Sequence, residues 1–526
     1  MSEPSADYSD ATSSADGSPV AAEPRRLSLW DSICLIVGII IGASIYQSSQ
    51  YVFQSAGSAS MGMAAWAVGG IVSLIGALCY AELASAYRTA GGDYTYLTRA
   101  YGSKVGFVFA WAELSVIRTG GSIAFMAYIF AKYASEFCPL GPGLAPYSKL
   151  IYALLGIIGL TFINAVGVRP GRLVQNVLTS ANIIGLTSIA IIGLIWYLLP
   201  NPGPAASDRA AVDVAAAVGA ATNPLTAAST VPTLPEAFEL SFALTMVWVF
   251  YAYGGWNEAA FIASEVKNPK RNIRRALMLG TLLVTVIYMA VNLAYIGALG
   301  YWGVCKSETI AADMFALPFG EFGRADIGRK IISALVMVSA LGSIHGLLFT
   351  GMRLYGTFGR DHQLFAWLAG KEDKTHSNGA LFAQAAFSIL LIAVVELAYH
   401  WRVILCQVAG YCGIELDAGF QTQGDIYRLV ACTAPVFWLF FLLTACSLFV
   451  LRWRDPNIER PYLVPLYPVL PLIFVLSCAF MLYKSSAYAL KQQPAEALIV
   501  FGLMLIGVPL GIWSARARVK YQQSES

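Results

Sequence analysis

Gly38-Ile39-Ile40-Ile41-Gly42-Ala43-Ser44, read beside Tyr251-Ala252-Tyr253-Gly254-Gly255-Trp256-Asn257, decides how this chain folds. Each stretch puts glycines in the middle of an apolar run long enough to cross about 30 Å of hydrocarbon. Glycine costs about 1 kcal/mol relative to alanine inside a helix, and paired glycines favour a break. A break in lipid leaves backbone NH and C=O groups without partners, which is tolerable only where they face a cavity or a ligand. Gly38 and Gly42 also form a GxxxG step, the signature of close helix packing. The two interruptions stand about five helices apart, one at the start of each of two five-helix halves, and this match favours a ligand site at the bilayer midplane.

The rest of the chain agrees. Of 526 residues, 57% are hydrophobic and 12% charged, about half the charge of a soluble domain. Apolar runs recur from end to end without amphipathic spacing. They predict about twelve spans, near 29–55, 61–87, 105–135, 148–167, 171–199, 237–263, 275–300, 328–358, 379–399, 427–452, 464–487 and 495–515. The polar stretch 1–26 reads as a disordered cytoplasmic tail, with no cleavable signal. Residues 27–199 form a first half, 200–236 an Ala/Pro/Thr-rich loop, and 237–452 a second half that includes an outward loop at 400–426. Residues 453–515 add two helices, and 516–526 form a second cytoplasmic tail.

Basic residues mark the cytoplasmic side of a membrane protein. Arg25 and Arg26 precede the first span, Lys267 to Arg275 follow the sixth, and Arg516, Arg518 and Lys520 follow the last. The 200–236 loop carries Asp208, Asp213 and Glu236 against a single Arg209. Both termini are therefore expected in the cytoplasm of a multi-pass plasma-membrane protein. Nine cysteines show no CxxC pair, and four histidines show no ligand spacing, so no metal, cofactor or disulfide framework is implied. No HExxH, GxSxG or P-loop pattern points to an enzyme, and nothing points to nucleic acid.

Several longer motifs resemble the amino acid–polyamine–organocation superfamily, within it the L-type amino acid transporter branch. Val37 to Tyr46 is similar to VGxIIGSGIF, and Tyr80-Ala81-Glu82-Leu83 through Gly91-Gly92-Asp93-Tyr94 to YAELG…GGDY. Ile117-Arg118-Thr119 resembles IRP, Gly342 to Leu354 resembles GSxNGxLFTxxRL, and Ala252 to Ala276 and Arg452 to Pro465 match further segments. The resemblance implies an all-α, five-plus-five inverted repeat of leucine-transporter type, with two extra C-terminal helices and broken first and sixth helices. It implies a secondary active transporter, antiporter or symporter, of neutral L-amino acids. A cationic-amine permease and a non-transporting sensor on the same fold are the alternatives.

In that family the substrate carboxylate meets backbone NH groups at the first break, and the amino group meets carbonyls at both breaks. Helix-end dipoles suit a zwitterion in this way. By position, Gly42, Ala43 and Ser44 would hold the carboxylate, while Tyr251, Ala252 and Gly254 would line the opposite wall. The departures concern coupling. Asn182 replaces a lysine common in the fifth span, Ser339 and Ser343 offer oxygens one turn apart, and His345 replaces an asparagine. Sodium independence is expected, with any pH dependence near neutrality arising at His345. Buried charges need partners, so Arg118 is expected to pair with Glu258, near Glu113, and Glu82 and Glu265 to serve an inner gate with Arg88 and the Lys267–Arg275 cluster. Animal members of the branch join a single-span partner through the third-to-fourth loop, where Cys138 lies. Nothing else in the sequence demands a partner, so no accessory subunit is expected.

Overall fold

The first apolar run folds as two helices. α1 (Leu29–Ile40) and α2 (Ile45–Ala56) meet at a 48° bend across the predicted interruption. The computed structural model describes residues 28–42, 44–87, 91–166, 168–198, 235–261, 263, 266–320, 323–369, 377–411 and 425–525. Ser58 caps α3 (Ala59–Ala86) by accepting a hydrogen bond from the Met61 amide, and a short helix, α4 (Asp93–Tyr101), follows the Gly91-Gly92 turn.

The third span runs from α5 (Ser103–Ala112) through a π-helical stretch, Glu113–Ala124, into α6 (Phe125–Phe137). The wider turn shows in Thr119, whose hydroxyl donates to the Leu114 carbonyl five residues back. Such a stretch rotates the following side chains relative to a plain α-helix. α7 (Ser148–Val166) and α8 (Val168–Leu198) complete the first half.

α9 (Pro235–Tyr253) stops at Gly254-Gly255, and one 3-10 turn, Trp256–Ala260, continues the path. α10 (Pro269–Lys306) starts with proline in its first turn and is interrupted at Gly300, with φ +71°, where the predicted seventh span ends. α11 (Ile310–Gly320), α12 (Ala325–Asp361) and α13 (Asn378–Tyr411) follow. α14 (Asp425–Arg454), α15 (Val469–Gln492) and α16 (Pro494–Glu525) end the chain.

Among the described residues there is no strand, and nine helices are long and apolar enough to span a membrane, or ten with the bent α1–α2 pair. The third span, α12 and α14 are mostly buried, whereas α8, α10, α15 and α16 turn Ile184, Leu194, Val286, Leu476 and Leu505 outward. Apolar side chains facing outward at this density are what a lipid-facing shell requires. Two predicted boundaries move: α13 continues helical to Tyr411, into the expected 400–426 loop, and α16 continues to Glu525, through the expected 516–526 tail. The predicted 1–26 tail lies outside the described residues, as does nearly all of the 200–236 loop.

Candidate functional site

The two interruptions meet. Gly255 has φ +109°, and a Cβ built on it would lie 2.9 Å from Ile39 Cγ2 and 3.4 Å from the Ile39 backbone. Only glycine permits that approach. Tyr288 of α10 ties the breaks together, its hydroxyl donating toward the Ile40 carbonyl at 2.8 Å and the Ala252 carbonyl at 3.0 Å. Nothing in the sequence singled out Tyr288, a lone tyrosine in an apolar helix.

A cavity of about 910 Å³, part of it open to solvent, lies between the breaks. Ser44, Tyr251 and Gly254 line it, together with Gly255, Ser122 and Ser343. Gly42 sits at its edge: a Cβ there would meet Ser343 Oγ at 2.9 Å and Met126 at 3.1 Å. Ala43 lies outside the described residues. Ala252 is fully buried and is absent from the lining, its carbonyl being directed to Tyr288. Gly38 packs instead, since a Cβ there would meet the Thr179 side chain at 2.6 Å.

The ends of the half-helices supply the polarity. After α1 stops, the Gly42 amide bonds back to the Ile40 carbonyl at 2.7 Å, and the Ser44 carbonyl accepts from the Gln47 and Ser48 amides as α2 begins. The N-terminus of α2 therefore opens at Ser44, where helix geometry leaves amide donors and partial positive charge. Tyr251 sets its ring 4.4 Å from Phe125, tilted by 61°. Phe437 and Trp438 of α14 complete an aromatic wall, Trp438 lying edge-on to Phe250 at 5.0 Å. These two were not anticipated, although the aromatic run Phe437-Trp438-Leu439-Phe440-Phe441 was visible.

Arg118 reaches the cavity from the π-helical stretch and is 2% exposed. Its guanidinium grips Glu258 with both ends, at 2.9 and 3.1 Å, and approaches Glu113 at 3.3 Å. Thr350 Oγ1 and the Leu347 carbonyl accept further hydrogen bonds from it at 3.0 and 3.3 Å. This bidentate arrangement is the strong form of a buried ion pair.

The remaining coupling candidates lie behind the first break. Asn182 donates to the Ile41 carbonyl at 3.1 Å. Ser343 donates to the Ser339 carbonyl at 3.1 Å, and Ser339 is buried next to Tyr46. His345 is buried in α12, its ring nearly parallel to Phe349 at 6.5 Å, and is not among the residues lining the cavity.

Glu82 at the end of α3 pairs with Arg452, at 2.5 and 2.7 Å, and accepts from the Val464 amide at 2.8 Å. Nearby, Arg99 and Tyr87 hold Asp455 at 2.5 and 2.9 Å. Burial works against that carboxylate, but these two hydrogen bonds keep its pKa below the ordinary value. Arg88 and Glu265, the other expected gate groups, lie outside the described residues.

Known proteins are similar to this chain over nearly all of its length. It is 28% identical to the human large neutral amino acids transporter small subunit 2 over 515 residues, covering 96% of this chain and 84% of that one. It is 28% identical to the human cystine/glutamate transporter over 505 residues, covering 94% and 87%. The mouse Asc-type amino acid transporter 1 is 26% identical over 513 residues, covering 95% and 84%. The expectation that no accessory subunit is needed is overturned here, because the first of these relatives is by name the small subunit of a larger transporter. Cys138, exposed just after α6, was the one sequence feature that pointed to a partner. Residues 27–508 match the amino acid permease model, and on that match, over a site built from two helix breaks, the chain belongs to the amino acid permease family.

Proposed function

We propose that this protein carries neutral L-amino acids across the plasma membrane by alternating access, as one subunit of a larger transporter. Amino acid transport follows from the family; the substrate class, the assembly and the mechanism are our reading. The observation that carries it is the meeting of both helix breaks at one cavity. A zwitterion suits that place: the α2 N-terminus offers donors near Ser44 for a carboxylate, and carbonyls where α1 and α9 stop offer acceptors for an ammonium. Ser44, Tyr251 and Gly254 would contact the ligand, with Gly42 at the edge, and the aromatic wall of Phe250, Phe437 and Trp438 suits an apolar side chain.

In this reading the chain has twelve spans in a five-plus-five inverted repeat with two further helices, and both termini face the cytoplasm. The end of the bundle where Glu82 meets Arg452 is then the inner gate. A cationic substrate is the second reading, favoured by one observation: two carboxylates, Glu113 and Glu258, face a single Arg118 on the cavity wall. Uptake of a labelled amino acid panel by proteoliposomes separates the readings. Neutral amino acids should accumulate and exchange. Preference for lysine or a polyamine would favour the second reading, and binding without accumulation would leave a sensor.

A further inference from the structure

Asp93 begins α4, at the end of the bundle where α3 stops, and is 3% exposed. The turn that carries it rests on the ion-pair site. Gly92 has φ +48°, and a Cβ there would lie 2.6 Å from the Phe261 ring, which in turn covers the Arg118 guanidinium at 5.4 Å. From α3, Tyr80 is turned toward the Asp93 carboxylate, with Thr444 of α14 beyond it. Asn257 approaches from the turn after α9, which also holds Glu258. Glu113 faces it from the third span, Tyr96 from its own helix, and Thr350 and Tyr355 of α12 complete the surroundings of Arg118, the partner of Glu113.

The charges do not balance. Three carboxylates, Asp93, Glu113 and Glu258, lie close together, but the one guanidinium pairs with Glu113 and Glu258, and the buried Asp93 Oδ1 has no hydrogen-bond partner among the described residues; a buried site disfavours such surplus negative charge. Burial pushes the Asp93 carboxyl up to about 8; Glu113 and Glu258 push the same way, while Tyr80 and Asn257 oppose them. Asp93 lies outside the spanning helices, yet it is coupled to groups that line the cavity.

We propose that Asp93 is a proton-binding site, protonated while the cavity is closed toward α4 and deprotonated when it opens there, so that transport is linked to protons. The step is a transfer between the carboxylic acid O–H and water, with no electron moved. A carboxyl exposed to water titrates near its ordinary value of about 3.9. Between about 4 and 8, opening therefore releases one proton and becomes about tenfold more favourable per pH unit. Above about 8 both states are deprotonated and the dependence ends.

The inference rests on the transport reading but fails separately from it. Exchange of the fastest member of a labelled neutral amino acid panel is measured in proteoliposomes, with equal pH on both faces, from about 6 to about 9. Wild-type exchange should vary with pH and level off near 8. Asp93→Asn cannot ionise and should be independent of pH, while Glu113→Gln, which removes a neighbouring negative charge, should lower the levelling point by about one unit. A wild-type profile retained in Asp93→Asn, or lost in His345→Asn but kept in Asp93→Asn, would overturn the proposal, as would a flat wild-type profile. Should Asp93→Asn fail to insert, infrared titration of the wild type decides: a protonated carboxyl band must disappear near pH 8, and a spectrum without one refutes the site. A titrating band in a protein that exchanges nothing would sink the transport reading and leave the proton site standing.

Discussion

Arg118 is the residue whose partner was easiest to foresee. A charge in the middle of a span must be paired; Arg118, Glu113 and Glu258 were the charges buried in the third and sixth spans, so the Arg118–Glu258 pair was named from sequence, and the structure joins the two at 2.9 Å. Breaking a buried pair strands one charge, at a cost of about 3–5 kcal/mol, whereas removing both can be nearly neutral. Arg118→Met should therefore lower the unfolding temperature more than Arg118→Met combined with Glu258→Leu, as thermal unfolding in detergent would show; equal losses would mean that the pair is not a unit. Tyr288 was illegible for the opposite reason. A tyrosine among apolar residues has many ordinary uses, and its role appears only when Ile40 and Ala252, from distant elements, present carbonyls to one hydroxyl. Tyr288→Phe keeps the ring and loses that link, about 1 kcal/mol for a typical hydrogen bond. Transport should fall more than stability does, measured as initial uptake against unfolding temperature.

At the scale of elements, the broken helices were legible because glycine patches stand at matching places in the two halves, and the structure breaks the first span around Gly42 and α9 at Gly254-Gly255, while Gly38 packs inside α1. The π-helical stretch was not, since its side chains are compatible with an ordinary helix and only the surrounding packing selects the wider turn. Helix α4 was short and polar enough to pass for a loop. The breaks also separate two glycines that look alike in sequence. A Cβ at Gly254 would meet only the Tyr251 and Phe250 carbonyls, at 3.2 and 3.5 Å, whereas Gly255 combines φ +109° with contact to Ile39. Gly255→Ala should therefore reduce folded protein, by about 1 kcal/mol or more of backbone strain, while Gly254→Ala should insert normally. Size-exclusion yield and unfolding temperature test the contrast, and equal behaviour of the two variants would contradict this account of the break.

For the whole molecule, hydropathy alone was enough to read the membrane class, Cys138 was the single and discounted cue to the assembly, and nothing marked the way α13 and α16 extend their helices. Hydropathy marks where lipid begins and is silent on helices that continue beyond it. Coupling is also a property of the whole. Asn182 places a neutral amide donor on the Ile41 carbonyl, where a cation would otherwise be attracted, so uptake should be equal with sodium or choline outside; a steep sodium dependence would contradict this. The most direct test of the central claim, that substrate binds where the two breaks meet, is uptake of labelled neutral amino acids by proteoliposomes containing wild-type protein or Gly254→Leu. Gly254 lines the cavity, so the account predicts uptake by the wild type and none by a variant that inserts and unfolds like it; wild-type uptake by that well-folded variant would place the substrate elsewhere.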